Sequence, residues 1–278
     1  MIKLFVSDLD GTLYYDGEKH NSTLTKETIE AINQLNREGI EFAIATGREH
    51  GTSNHVSEQI GFDIDAIGTN GCCVVYRGTV LANHTISSES ALAICDLFER
   101  SGIEGTILYI DGKGHHVMSK PEGHYYDLFH EMKSRGEVQF IFDGSVQKWL
   151  SEPREEFNKA VILLEHPEDR DSISEQLRPL LQTYNLDMMY SSATYVELVP
   201  HGVDKAMGIE VIMKQLGISD DEVAVIGDSF NDEAMIKRFK HSYVMSHAEE
   251  ELLAMGNTIV HTVKEAIDDV LRISHAAI

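Results

Sequence analysis

The chain has 278 residues, 42% of them hydrophobic and 25% charged, which suits one large globular domain or two smaller ones with a sizeable core. Its 46 acids against 23 bases leave a formal charge of −23. That balance argues against nucleic acid or an anionic membrane as the main partner, since both demand clustered Lys and Arg.

The chain opens with a strand-and-helix alternation. "IKLFVSD" is a short apolar run suited to a strand buried on both faces. "TKETIEAINQLNREG" places Ile29, Ile32 and Leu35 at helical spacing, between a threonine entry at Thr25 and a glycine stop at Gly39. "IEFAIAT" is a second buried strand, "EHGTSNHVSEQIG" a weaker helix and "IDAIGTNG" a third strand. This order implies a parallel sheet with right-handed crossovers and helices on both faces.

The rhythm then changes. "CCVVYRGTVLANHTI" reads as a hairpin turning at Arg77-Gly78. The expected order after it is a helix ("SSESALAICDLFERSG"), strands "GTILYI" and "HHVMS", and a helix from Tyr125 to Lys133. Strands "VQFIF" and "NKAVILLE", a helix "SISEQLRPLLQTY", and strands "LDMMYSS" and "YVELVP" complete the block. After Pro200 the first rhythm resumes, from helix "DKAMGIEVIMKQLG" through strands "VAVIGD", "SYVMS" and "TIV" to a closing helix from Lys264. The reading is α/β: a doubly wound core from residues 1–82 and 200–278, with an α+β domain of residues 83–199 inserted. Cys72, Cys73 and Cys95 form no C-x-x-C pair, so neither a disulfide framework nor a zinc knuckle is indicated. No signal-peptide pattern and no apolar run near ~20 residues is found, and the expected compartment is the cytoplasm, with no membrane partner.

Four short stretches fall at the ends of expected core strands or at a helix start: "DLDGT", "ATGR", "DKAMG" and "GDSFND". In an open parallel sheet, ligands bind outside the carboxyl ends of strands at the switch point. Asp8, Asp10, Thr46, Gly47, Arg48 and Asp228 would all be carried to that rim. Asp8, Asp10 and Asp228 are hard oxygen ligands that repel one another when clustered, and a divalent cation relieves this. Mg²⁺ suits them, because it accepts one or two carboxylates together with phosphate and water at about 2.0–2.1 Å. The Gly47 backbone and the Thr46 hydroxyl sit where a strand gives way to a turn and helix, a place for N–H groups to receive phosphate oxygens. Lys205 opens a helix, where the dipole favours an acid instead; a lysine aimed at an anion explains the exception.

These stretches, in this order, resemble the four motifs of the haloacid dehalogenase superfamily. The inserted block resembles the C2-type cap, C2B in particular, of its Cof-like phosphatases, and the likeness spans essentially the whole chain. Singly such strings are common; the ordered set is what is specific. The resemblance implies that Asp8 is the nucleophile, attacking phosphorus in line to form a phosphoaspartate. It implies that Asp10 is acid to the leaving alkoxide and then base for the hydrolytic water, a role worth ~10²–10⁴ in rate. Mg²⁺ would be held by the Asp8 carboxylate, the Asp10 backbone carbonyl and Asp228. Thr46, Gly47 and Lys205 would grip the transferring phosphoryl group, Asn231 would help position it, and Asp232 would orient Lys205 or the metal shell. The metal, Lys205 and Arg48 would then make a small cationic pit in an acidic protein.

The activity implied is Mg²⁺-dependent hydrolysis of a small phosphorylated metabolite, a sugar phosphate being favoured, with specificity set mainly by the cap. Dehalogenases of the superfamily lack the second acid, so Asp10 disfavours dehalogenation. A phosphomutase of the phosphomannomutase type is the alternative enzyme. A non-catalytic phosphate sensor akin to a receiver domain is the other alternative, and the long insert and intact "GDSFND" argue against it. Asn70-Gly71 reads equally as a substrate contact or a plain turn. Three residues depart from the family pattern: Cys72 after "NG", and Ser246-His247 in "MSHA", where relatives often read "MGNA" near the metal rim. His115, His116, His124 and His130 fit no ligand spacing and read as solvated histidines. "YYDLFHEM" reads as packing within the insert ahead of a ligand slot, and Lys120 and Lys159 as surface lysines ahead of contacts to an anionic group of the substrate.

Overall fold

Apolar runs and amphipathic segments alternate along the chain and build two separate units. The computed structural model describes residues 1–15, 23–120, 122–134, 140–142, 144–152 and 156–276. One unit joins Met1–Ala82 to Asp204–Ile278, and the other is Asn83–Val203.

In the first unit, β1 (Leu4–Ser7) is buried along its whole length. α1 (Lys26–Arg37) starts at Thr25, whose hydroxyl accepts from the Thr28 N–H at 3.1 Å, and it buries Ala31, Ile32 and Leu35. β2 (Glu41–Ala45), α2 (Thr52–Ile60) and β3 (Asp65–Gly68) repeat the pattern. β4 (Cys73–Tyr76) runs antiparallel to β3, and β5 (Thr79–Asn83) closes that edge. Arg77 and Gly78 between them have φ of 48° and 73°, the two left-handed residues that a tight hairpin turn requires.

The chain returns to this unit with α7 (Lys205–Leu216), β12 (Val223–Gly227), α8 (Glu233–Arg238), β13 (His241–Met245), α9 (Glu250–Leu253), β14 (Thr258–Val260) and α10 (Val263–Ala276). The sheet order is β14-β13-β12-β1-β2-β3-β4-β5, parallel from β14 to β3. Leu4 and Val6 pack on one face with Ile209, Ile212 and Met235. Phe5 packs on the other with Ile32, Leu35, Ile267 and Val270. From β1 the chain steps outward to β2 and β3; from β12 it steps outward the opposite way. The connections therefore diverge between β1 and β12, which makes that seam the switch point. Ser7 pairs with Ile226 there, and each strand is followed at once by an aspartate, Asp8 or Asp228.

The second unit contains α3 (Ser88–Ser101), β6 (Gly105–Asp111), β7 (His115–Met118), α4 (His124–Ser134), β8 (Phe140–Phe142), α5 (Val146–Leu150), β9 (Phe157–Leu164), α6 (Arg170–Tyr184), β10 (Leu186–Tyr190) and β11 (Tyr195–Pro200). Its strand order is β10-β11-β9-β6-β7-β8, antiparallel except for the β7–β8 pair. One face packs Ile107, Tyr109 and Ile162 against Ile94, Phe98, Ile173, Leu177 and Trp149. On the other, Leu108, Ile110 and Val161 meet half-buried Tyr125, Tyr126 and Phe129 of α4.

This unit adds one unexpected element and corrects the readings of Lys159 and of two histidines. α5 was not anticipated, because five residues are too few to show a helical period; Ser145 caps it by accepting from the Lys148 N–H at 3.3 Å. Lys159 is buried, and its ammonium lies 2.6 Å from the Glu197 carboxylate on the neighbouring strand. His116 is buried too, with Nδ1 3.0 Å from the Gly114 carbonyl, and His115 is half-buried beside Asp111 at 2.6 Å. Residues 138 and 139 of the expected strand "VQFIF" lie outside the described residues.

α7 carries a lysine at its first position and depends on its cap: the Asp204 carboxylate accepts from the Met207 N–H at 2.8 Å. Asp204→Ala should lower stability by about 1 kcal/mol in urea unfolding.

Candidate active site

Asp8, Lys205 and Asp232 meet below the switch point, although 224 residues separate the first from the last. The Lys205 ammonium is fully buried and donates to Asp8 Oδ1 and Asp232 Oδ1, both at 2.6 Å. Asp232 Oδ2 accepts from the Asp228 and Ser229 N–H groups at 3.0 and 3.1 Å, so this carboxylate has no oxygen left over. Burial pulls the Lys205 ammonium down, but Asp232 and Asp8 outweigh it and hold the group above its ordinary range. Burial pushes the Asp8 carboxyl well above the carboxylate range; Lys205 opposes that rise, and Asp232 and Asp228 add to it. One ammonium thus serves two carboxylates, with a third close by.

That third group is Asp228. Thr12 Oγ1 donates to its Oδ1 at 2.7 Å. Burial, and then the Asp232 charge, push its carboxyl up to about 6. Gly11 stands against it at φ +84°, and a Cβ there would lie 2.2 Å from Asp228 Oδ2, so "DLDGT" must carry a glycine at this place. One carboxylate oxygen from each of Asp8, Asp228 and Asp232 lies within 4.8 Å of the other two. Asp8 Oδ2 is buried and has no hydrogen-bond partner. A buried carboxylate oxygen with no donor, next to a second carboxylate, is the donor chemistry of a hard divalent cation. Asp8 and Asp228 could hold such an ion, whereas Asp232 is committed to Lys205 and the backbone.

The structure separates the Asp10 side chain from this group. Arg48 grips it with two hydrogen bonds, Nε to Oδ2 at 2.7 Å and Nη2 to Oδ1 at 2.6 Å, and the Asp10 side chain is 52% exposed. No sequence pattern pairs residues 38 positions apart; only the parallel β1–β2 register brings the loops after those strands together.

Three loops are braced against one another at the rim. Thr46 Oγ1 accepts from the Arg48 N–H at 3.1 Å, Asn70 N–H donates to the Thr46 carbonyl at 3.0 Å, and Thr69 N–H donates to the Arg48 carbonyl at 2.7 Å. Gly47 is half-buried in the same turn. Asn231 Nδ2 donates to Asn70 Oδ1 at 3.2 Å, joining two expected site residues. Asn70 is no plain turn residue: it is fully buried, and Thr69, Asn70 and Gly71 have φ of 49°, 57° and 102°. A β-branched threonine in that region costs of order 1–3 kcal/mol, a strain the surrounding bonds must overcome. Sequence reading also missed Thr12 as a ligand to Asp228, although it stands within the quoted motif. Of the departures, Cys72 is buried, Ser246 Oγ lies 2.8 Å from His261 Nδ1, and His247 Nε2 lies 3.7 Å from Asp228 Oδ2.

A doubly wound sheet with these acids at its switch point defines a hydrolase of the haloacid dehalogenase type. A family model described as haloacid dehalogenase-like hydrolase matches residues 5–271, and the chain belongs to that family. It is 25% identical to the phosphatase YwpJ of Bacillus subtilis, over 95% of this chain and 96% of that protein. It is 26% identical to the 5-amino-6-(5-phospho-D-ribitylamino)uracil phosphatase YbjI of Escherichia coli, over 98% and 97%. Among solved structures, a haloacid dehalogenase-like hydrolase from Bacteroides thetaiotaomicron matches with a TM-score of 0.80 at 21% identity, covering 97% and 100% of the two chains. The subclass IIB sugar phosphatase BT4131 matches at 0.78 and 19%, covering 96% and 98%. At those identities the structural likeness establishes the fold alone. Among the described residues, no helix is long and apolar enough to cross a membrane.

The raised Asp228 carboxyl has a consequence for stability. Its folded-state value of about 6 lies above the ordinary 3.8, so its contribution is present below pH ~4 and is lost as the pH rises through about 6. In chelator, Asp228→Asn should match the unaltered protein near pH 4 and exceed it by about 3 kcal/mol above pH 7, read by urea unfolding.

Proposed function

We propose that the protein is a Mg²⁺-dependent phosphomonoesterase that dephosphorylates a small phosphorylated metabolite, a sugar or sugar-alcohol phosphate being the favoured class. The observation that carries this reading is the Asp8 carboxylate, with one oxygen fixed by Lys205 and the other buried without a donor beside Asp228. The names of the relatives support the substrate class: a phosphoribityl compound for YbjI and a sugar phosphate for BT4131.

Bound Mg²⁺ would neutralise Asp8 and Asp228 and polarise the phosphoryl oxygens. The Asp8 carboxylate attacks phosphorus in line; the new acyl–O–P bond forms as the ester P–O bond breaks. Asp10 gives its proton to the departing alkoxide. Water then attacks the phosphorus of phosphoaspartate, Asp10 takes the proton back, and inorganic phosphate leaves with Asp8 restored. Lys205, already charged and already oriented by Asp232, stabilises phosphoryl charge without having to reorganise. The Thr46 hydroxyl, whose oxygen accepts from Arg48 N–H, keeps its proton for a phosphoryl oxygen, and the Gly47 N–H serves beside it. Asn231, braced by Asn70, completes the cradle.

Arg48 takes a role that differs from direct substrate contact. It occupies both oxygens of Asp10, so it sets where that carboxylate stands, and one of the two bonds must open whenever Asp10 exchanges a proton.

Turnover of p-nitrophenyl phosphate with Mg²⁺ should be lost in chelator and restored by added Mg²⁺. Asp8→Asn should abolish it while leaving the fold at least as stable; activity near the unaltered level would remove Asp8 as nucleophile. Asp10→Asn should slow both formation and hydrolysis of the intermediate. Arg48→Ala should lower kcat by about 10–100-fold with little change in KM if it positions Asp10. A raised KM with kcat kept would instead make Arg48 a substrate contact.

A further inference from the structure

His247 stands two residues beyond β13, in the stretch "MSHA". Its Nε2 lies 3.7 Å from Asp228 Oδ2, and its ring packs against Tyr15 with centroids 4.1 Å apart. Tyr15 itself packs against the apolar cluster that holds Phe5, Leu13 and Tyr14, so the imidazole rests on a backed surface. Thr12 fixes the other Asp228 oxygen, Oδ1, at 2.7 Å. That bond fixes one end of the carboxylate. A second donor on the Oδ2 side would hold its plane.

We propose that His247 is a positioning residue for the cation site: its Nε2–H donates to Asp228 Oδ2, and Tyr15 holds the imidazole in place for this. The inference rests on the reading of Asp8 and Asp228 as cation ligands. The separation is about 0.7 Å longer than an ordinary N–H···O bond, so the donation requires a small turn of the ring, whose side chain is 28% exposed. Direct ligation fits less well. Among the described residues, the ligand group whose atoms lie within 4.8 Å of one another comprises Asp8, Asp228 and Asp232, and His247 is outside it. A partner that orients a ligating carboxylate is worth ~10–100-fold in metal affinity.

Mn²⁺, titrated into the full chain without substrate and counted free in solution by electron paramagnetic resonance, reads affinity independently of turnover. His247→Gln places an amide N–H near the Nε2 position, whereas His247→Asn reaches only as far as Nδ1. The expected result is that His247→Ala and His247→Asn weaken Mn²⁺ binding about tenfold or more, His247→Gln stays within about threefold of the unaltered protein, and Tyr15→Ala falls between. Thermal unfolding of the metal-free His247 variants should be unchanged, whereas Tyr15→Ala should unfold at a lower temperature because it also loses packing against the apolar cluster. Equal affinity in His247→Ala would overturn the role of His247 and leave the cation site standing. Equal losses in His247→Ala and His247→Gln would show that ring packing, not the N–H, matters, and would overturn the donor role. If the unaltered protein binds no Mn²⁺, the cation site fails and this inference fails with it.

Discussion

Lys205 buries a positive charge, and Asp8 and Asp232 share it at 2.6 Å each. Removing Lys205 would leave two buried carboxylates without their counter-charge, at a cost of about 3–5 kcal/mol, so the trio depends on that ammonium. The constraint runs through the first unit. Asp8 follows β1, Lys205 begins α7 and Asp232 precedes α8, so the trio ties α7 and α8 to the central strand. Asp232 extends the tie by accepting from the backbone at Asp228 and Ser229, which shapes the loop that presents Asp228.

Charge balance then explains what the site can do. Three carboxylates and one ammonium leave the cluster negative, and burial makes that costly: Asp8 and Asp228 are both pushed up. A divalent cation would cancel that charge and, beside Lys205, give an anion two positive groups to bind. An acidic chain can therefore act on phosphate without a basic surface, because the attraction is confined to a few ångströms where water is scarce.

Much of this was legible in the sequence. The alternation of apolar runs and helical periods marked nearly every core element, since strands buried on both faces and helices with one apolar stripe leave different patterns. The four motif stretches were also legible, because strand ends at a switch point can be placed before any contact is known. What escaped were contacts that depend on register or on side-chain direction. The Arg48–Asp10 pair follows from the alignment of β1 with β2 and has no local signature. The buried Lys159–Glu197 pair lies across two insert strands, and composition alone gives a lysine to the surface. The left-handed run at Thr69 and Asn70 defies residue preference and is held only by its neighbours' hydrogen bonds. The effect of His247 required seeing which oxygen of Asp228 it approaches.

Asp8 takes the phosphoryl group covalently in the proposed reaction. The most direct test is to quench the protein in acid during steady-state turnover of a phosphorylated substrate with Mg²⁺, digest it, and map the peptides by mass. The account predicts one added phosphoryl group on the peptide containing Asp8, chased away when substrate is exhausted and more abundant in Asp10→Asn. An unmodified Asp8 peptide during sustained turnover, in both proteins, would contradict it.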